Sequence, residues 1–231
     1  MNFSVLWDKI YYNFIYEDRY MMLVKGLGNT LLITLGSILL GIIIGLFLAL
    51  FKISAENNKK FKILGILSNI YITVIRGTPV ILQLMIIYYA IFVSAKDPIP
   101  VAIVAFGVNS GAYIAEIFRA GIQSIDKGQM EAARSLGLNF RTSMQLVVLP
   151  QAFKNILPAL GNEFITLLKE TSVATVIAVP ELLRGAVNIR NITYEPYITY
   201  IAAALIYLVI VVLFTKLQGL LERRLSQSDH R

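Results

Sequence analysis

Apolar residues run along this chain in stretches far longer than the face of a soluble helix requires. From Leu27 to Phe51 the sequence is almost unbroken Leu, Ile, Gly and Phe, enough to cross a bilayer core, which takes about 20 apolar residues in a helix. Comparable stretches run from about Pro100 to Phe118, Ile156 to Val179 and Ile198 to Leu220. Another, Ile63 to Ser94, is interrupted by Arg76-Gly77-Thr78-Pro79. Proline inside a helix removes a backbone donor and bends the axis, so this stretch is read as one broken element with a single crossing. The pattern predicts an all-α integral membrane protein of five transmembrane helices, forming a single transmembrane domain over residues 1–231. An odd number of crossings puts the two ends on opposite sides.

Composition agrees. Apolar residues make up 57% of the 231 and charged residues 15%, against roughly 45–50% and 25% in a soluble domain. There is no cysteine and one histidine, His230, in the C-terminal tail. Disulfides, thiolate metal sites and imidazole chemistry inside the membrane are therefore excluded, and no metal site is expected.

The formal charge of +7 is explained by where the cations fall. Lys52, Lys59, Lys60 and Lys62 follow the first span. Arg119, Lys127, Arg134, Arg141 and Lys154 follow the third, and Lys216, Arg223, Arg224 and Arg231 lie in the tail. On the other side Lys9, Arg19, Lys25, Lys96, Arg184 and Arg190 are diluted by acids such as Asp8, Glu17, Asp97 and Glu181. Short cytoplasmic loops carry the excess of Lys and Arg, so the N-terminus is expected outside and the C-terminus in the cytoplasm. No basic patch with interleaved aromatics points to nucleic acid. Residues 1–22 lack the pattern of a cleaved leader. Phe3, Leu6, Trp7, Ile10 and Phe14 recur at helical spacing among Tyr11, Tyr12, Tyr16 and Tyr20, the pattern of a helix lying in the membrane interface.

Between spans three and four, residues 119–155 form a polar segment. Two short helices are expected there, Gln129 to Leu136 and about Phe140 to Leu149, with Gly137 at the bend in the left-handed conformation that closes a helix. Pro150 marks entry to the next element. Glu131 is an exposed acid at a helix start, and Ala132 and Ala133 keep that face small, as close contact with a partner requires. An ordinary amphipathic loop would account for Glu-Ala-Ala alone, but the spacing continues: Glu131-Ala132-Ala133, three residues, Gly137, nine residues, Val147, one residue, Leu149-Pro150.

This spacing resembles the loop by which permease subunits of ATP-binding-cassette importers engage their ATPase, with Val147 where that family usually has Ile. Arg76-Gly77-Thr78-Pro79 with Gln83, the string Ala115-Glu116-Ile117-Phe118-Arg119-Ala120-Gly121-Ile122, and Leu149-Pro150-Gln151-Ala152 look like the polar amino acid branch, the histidine, arginine and glutamine type. The resemblance covers roughly residues 20 to 225. It implies the type I importer permease fold, a permease dimer, one cytoplasmic ATPase subunit per half, and an extracytoplasmic amino acid binding protein. It also implies a multi-pass protein of the bacterial inner membrane. The ATPase-coupling residues it implies are Glu131, Ala132, Ala133, Gly137, Leu138, Leu149 and Pro150. The chain has no Gly-rich phosphate loop ending in Gly-Lys-Ser/Thr, so no cofactor is expected in it. ATP and its magnesium belong to the partner, and this subunit is not an enzyme.

Charges inside spans are costly and mark pathways or pairs. Span four holds Glu163, Lys169 and Glu170. Lys169 beside Glu170 is read as a structural ion pair. Glu163 lies roughly 10–14 Å in from Lys154 to Ile156 at 1.5 Å per residue, near the midplane where transporters hold substrate. Thr166 and Glu170 share its helical face and Asn162 adjoins it. With no partner nearby in sequence, its carboxylate calls for a cation. Two readings stay open: the cation of an arginine, lysine or histidine substrate, or Arg76 as permanent scaffolding. Gln83, Asn109 and Tyr113 are further candidates for the pathway, although Asn and Ser in membrane helices more often satisfy neighbouring helices. Glu116 and Arg119, three apart, are expected to pair as a clasp beside the loop. Gly41, Gly45 and Ala49 in span one, and Gly107 and Gly111 in span three, form small-residue stripes suited to close packing.

The expected function is thus the permease of an ATP-driven importer for cationic amino acids, working by alternating access. Alternatives are the same importer for neutral polar amino acids such as glutamine, or an ion-coupled carrier acting without an ATPase. A membrane-embedded enzyme lacks the usual hydrolytic constellations. A homodimer is favoured because this one chain carries a complete loop and a complete candidate site.

Overall fold

The computed structural model describes residues 3–227; His230 and Arg231 of the tail lie outside them. Ten α-helices follow in order among the described residues: α1 (Phe3–Ile10), α2 (Tyr20–Asn57), α3 (Lys62–Arg76), α4 (Val80–Ile86), α5 (Pro98–Gln123), α6 (Lys127–Ser135), α7 (Phe140–Ser143), α8 (Leu149–Glu170), α9 (Leu182–Thr193) and α10 (Pro196–Gln227). Among them α2, α5 and α10 are long and apolar enough to cross a membrane, and two bent pairs bring the number to five if each pair is one span.

The first bent pair is the interrupted element. α3 and α4 meet at 106° across Gly77-Thr78-Pro79, with Pro79 extended at the cap of α4. The second pair corrects the sequence reading. Residues 140–177 form one helical path, because Met144–Val148 make a π-helical turn that links α7 to α8. Pro150 follows directly on that turn, near the start of α8, and does not divide the short helix from the span. Beyond a left-handed Ala178, the stretch between the expected spans four and five is α9, bent 46° from that path.

α5 is the centre of the bundle, with Phe106, Ala112, Ile114 and Ala115 fully buried. Its longest contact is with α2, and glycines set the distance. A methyl group on Gly107 or Gly111 would lie 2.7 Å from Leu40 or Ile44 of α2; one on Gly45 would lie 2.7 Å from Ile114 of α5. Each helix thus seats large side chains over the other's small ones, as close packing in lipid demands. Ser37 Oγ donates to the Ile103 carbonyl across the same seam (3.2 Å), and Tyr71 OH of α3 donates to the Val108 carbonyl (2.7 Å).

At the end away from α6 and α7, α9 packs its buried stripe of Leu182, Gly185, Ala186 and Ile189 against α2 and α10. The backbones nearly touch: a methyl on Gly26 would lie 2.7 Å from the Glu181 carbonyl. Glu181 is fully buried and caps α9, its carboxylate accepting from Leu183 N (2.7 Å), Arg184 N (2.6 Å), Tyr207 OH (3.0 Å) and Thr175 Oγ1. The N-terminal segment turns back through Glu17 and Asp18, both at positive φ. Phe14 joins the Leu23–Leu182–Ile189 cluster, and Lys9 pairs with Glu195 at 2.6 Å.

Candidate functional site

An open cavity of about 490 Å³ lies between α5 and α8. Glu163 of α8 is at one side of it. Arg76 from the end of α3, Tyr113 and Glu116 from α5, and Ser124 and Asn155 toward the α6–α7 end line the rest. Ser124 and Asn155 are joined by a 2.8 Å hydrogen bond. Of the residues expected to bind substrate, Glu163 and Tyr113 meet here.

The Glu163 carboxylate accepts a 2.7 Å hydrogen bond from Ser110 Oγ, a fully buried residue of α5. Among the described residues no Lys or Arg nitrogen lies within 4.0 Å of it. Arg76, the alternative partner weighed from sequence, is instead turned toward Glu116 at 3.8 Å and lies over the Tyr113 ring, 5.2 Å from its centroid. The reason is geometric. The break at Pro79 leaves Arg76 at the last turn of α3 facing the end of α5, where Glu116 sits.

Glu116 gathers cations from three helices. Lys52 Nζ of α2 is 2.9 Å away and Arg119 Nη2 is 2.8 Å away, with Arg119 Nε at 3.2 Å from both carboxylate oxygens. Arg119 also donates to Gln123 at 2.6 Å. The clasp expected between Glu116 and Arg119 is present, and Lys52 and Arg76 extend it. With three cations around one carboxylate, the rim of the cavity is positive while its Glu163 side is negative.

Two other candidates have different work. Gln83 and Asn109 are buried and bonded to each other, Asn109 Nδ2 donating to Gln83 Oε1 at 2.9 Å. Gln83 Nε2 donates to the Ile75 carbonyl (2.7 Å), the Thr78 carbonyl (3.1 Å) and Thr78 Oγ1 (2.7 Å). The break at Pro79 frees those carbonyls from helical partners, and the amide answers them. Both side chains brace the bend and neither lines the cavity. Asn162 and Thr166 are exposed and do not line it either; consecutive helix positions diverge by about 100°, which carries Asn162 off the Glu163 face. The same divergence explains why Lys169 and Glu170 form no ion pair, contrary to expectation. Lys169 is exposed and Glu170 half-buried.

At one end of the bundle α6 and α7 make a compact knob. Asp126 caps α6 by accepting from Gly128 N (2.6 Å). The helix closes at Gly137, φ +87°, with Leu138 N donating to the Ala133 carbonyl (3.2 Å) and Gly137 N to the Arg134 carbonyl (3.0 Å), the paired closure that a left-handed glycine permits. Asn139 caps α7 through Thr142 N at 2.9 Å. Glu131, Ala132 and Pro150 are exposed, Leu138 and Leu149 are partly covered, and Ala133 is buried. Leu136 is 84% exposed and Leu146 68%, an apolar knob with nothing of this chain upon it.

Residues 22–227 match the family described as binding-protein-dependent transport system inner membrane component. The chain is 42% identical to an arginine transport system permease protein of Bacillus subtilis over 210 residues, covering 90% of this chain and 94% of that one. It is 39% identical to an L-cystine transport system permease protein of the same organism, over 97% of this chain and 93% of the relative. It is 34% identical to a putative glutamine transport system permease protein of Rickettsia typhi, over 91% and 95%. Among solved structures, an amino acid ABC transporter crystallised with histidines superposes with a TM-score of 0.84 at 43% identity, covering 91% of this chain and 98% of that one. A methionine ABC transporter in an inward-facing conformation superposes with a TM-score of 0.74 at 21% identity, over 89% and 96%; this second likeness concerns the fold.

Proposed function

The chain belongs to the family of binding-protein-dependent transport system inner membrane components, and from that premise we propose that its cargo is a cationic amino acid held at Glu163. It is a membrane-spanning, non-catalytic permease subunit of an amino acid ABC importer, a system that also comprises an ATPase and a substrate-binding protein.

One observation carries the substrate reading. Glu163 faces a cavity of about 490 Å³ with a hydroxyl partner and, among the described residues, no cation, while the nearby arginine is engaged elsewhere. A carboxylate in a low-dielectric site is stable when a cation answers it. The ammonium, guanidinium or imidazolium side chain of lysine, arginine or histidine supplies one. The other end of such a ligand is a carboxylate, and the Arg76–Tyr113 side of the cavity carries the complementary positive charge. The 42% identical relative named for arginine and the structural neighbour crystallised with histidines favour the same class. The glutamine-type relatives at 34% identity favour the alternative, a neutral polar cargo.

Further parts of the reading follow from charge and shape. The α6–α7 knob, with Glu131, Ala132, Ala133, Gly137, Leu138, Leu149 and Pro150, is the surface on which the ATPase docks. Its end of the bundle is the cytoplasmic one, with the N-terminus outside, in the inner membrane of a bacterium. The cavity, running from Glu163 to Ser124 and Asn155, then serves as the exit toward the cytoplasm. Closure of the ATPases, carried through the knob, biases the spans between two arrangements that already exist. Two copies of this chain form the pathway, since one chain supplies both knob and site. The test is uptake of labelled arginine and labelled glutamine into vesicles holding the full importer. Arginine uptake at low substrate concentration lowered about 10- to 100-fold by Glu163→Gln with the complex intact is expected; equal arginine uptake by both forms would overturn the assignment.

A further inference from the structure

We propose that the groove between the end of α2 and the start of α3 binds the headgroup and glycerol backbone of one anionic phospholipid, through Lys62 and Asn69. The groove has a volume of about 210 Å³. Its floor is closed where the two helices touch, a methyl on Gly65 lying 2.5 Å from the Ala55 Cβ. Lys52, Glu56, Lys62 and Asn69 line it.

Charge complementarity points to an anion. Lys52 is engaged by Glu116, but Lys59, Lys60 and Lys62 are exposed and none forms an ion pair among the described residues. Glu56 is the one acid on the rim. What narrows the anion to a lipid is the depth and chemistry beneath. Lys62, Ile66 and Asn69 follow one another at i, i+4 and i+7 on one face, so Asn69 lies about 10 Å further along the axis. Its side-chain amide is exposed and has no hydrogen-bond partner among the described residues. In a bilayer an unpaired amide at that depth is costly, and the ester carbonyls of a phospholipid glycerol are acceptors lying just below its phosphate. Around it Ile63, Leu67, Ile70 and Val74 are all exposed, an apolar face for acyl chains. A free phosphate would use the lysines and leave Asn69 and this face unanswered.

The test is native mass spectrometry of the full importer, released from micelles holding equal amounts of phosphatidylglycerol and phosphatidylcholine with the same acyl chains. Phosphatidylglycerol should be retained preferentially on the permease. Lys62→Gln should lower that preference about fivefold, the equivalent of about 1 kcal/mol for one basic residue at an anionic surface. The triple variant Lys59→Gln, Lys60→Gln, Lys62→Gln should bring it to the level of phosphatidylcholine. Asn69→Leu should lower retention of both lipids, and glycerol phosphate should not displace the bound lipid. Equal retention of the two lipids by the unaltered protein, an unchanged preference in Lys62→Gln, or displacement by glycerol phosphate would overturn the proposal. So would a disulfide between two Ile70→Cys copies in the membrane, which would place a second permease over this face.

Discussion

Ser110 of α5 donates a 2.7 Å hydrogen bond to Glu163 of α8, across 53 residues of sequence, and among the described residues no lysine or arginine nitrogen lies within 4.0 Å of that carboxylate. The bond orients one oxygen of a carboxylate that lines the cavity. If a substrate cation completes the site, Glu163→Gln should keep the Ser110 contact and the fold while lowering apparent affinity for arginine about 10- to 100-fold, as loss of a charge-assisted bond of about 1.5–3 kcal/mol implies. Concentration-dependent uptake in vesicles measures this. Ser110→Ala should have a smaller effect in the same direction.

Gln83 and Asn109 should act on stability rather than on transport specificity. Gln83→Leu strands the Ile75 and Thr78 carbonyls at the break, a cost of about 1–3 kcal/mol. Asn109→Ala should cost less, and the two changes should be non-additive by about 0.5 kcal/mol or more, as for residues in direct contact. Thermal unfolding of the four forms of the cycle in detergent checks both the loss and the coupling. An additive cycle would mean that the two amides work independently.

Two glycines should respond to the same substitution with opposite sign. At Gly107 a methyl meets Leu40 at 2.7–2.9 Å, whereas at Gly219 nothing lies within 4 Å. Gly107→Ala should therefore destabilise by about 1–3 kcal/mol through overpacking of the α2–α5 seam. Gly219→Ala should stabilise by roughly 0.5–1 kcal/mol through lower unfolded-chain entropy. The midpoint of thermal unfolding distinguishes them.

Gly137 at φ +87° closes α6. Gly137→Ala should cost about 1–2 kcal/mol in the left-handed region, concentrated in the α6–α7 knob. The expected outcome is a permease with near-normal thermal stability whose partner ATPase is less stimulated by substrate. Stimulation ratios measured beside the unaltered protein test it, and an unchanged ratio would remove the knob from the coupling path.

Much of this architecture was legible because lipid leaves few solutions. Long apolar runs and the Gly41–Gly45 and Gly107–Gly111 stripes each had one physical outcome, and the α6 closure at Gly137 followed from glycine's backbone freedom. Other features depended on tertiary distance. Ser110 as the partner of Glu163, and Lys52 and Arg76 gathering at Glu116, join residues on separate helices. Gln83 and Asn109 read as pathway residues because polar groups in spans can serve either a cavity or a bent backbone, and sequence does not say which lies opposite. α9 did leave a signal: Leu182, Ala186 and Ile189 at helical spacing behind Pro180 and a capping Glu181. Arg184 and Arg190, within it, were read only as charges on one side of the membrane. The supposed Lys169–Glu170 pair ignored that adjacent helical side chains diverge.

Substrate-stimulated ATP hydrolysis by the complete importer, with its binding protein, in lipid vesicles tests most directly whether Glu163 holds a cationic cargo. Stimulation by arginine, lysine or histidine over glutamine is expected, with loss of that preference in Glu163→Gln and basal hydrolysis retained. Stimulation by glutamine alone, unaffected by Glu163→Gln, would contradict it and leave Glu163 a structural residue of the α5–α8 contact.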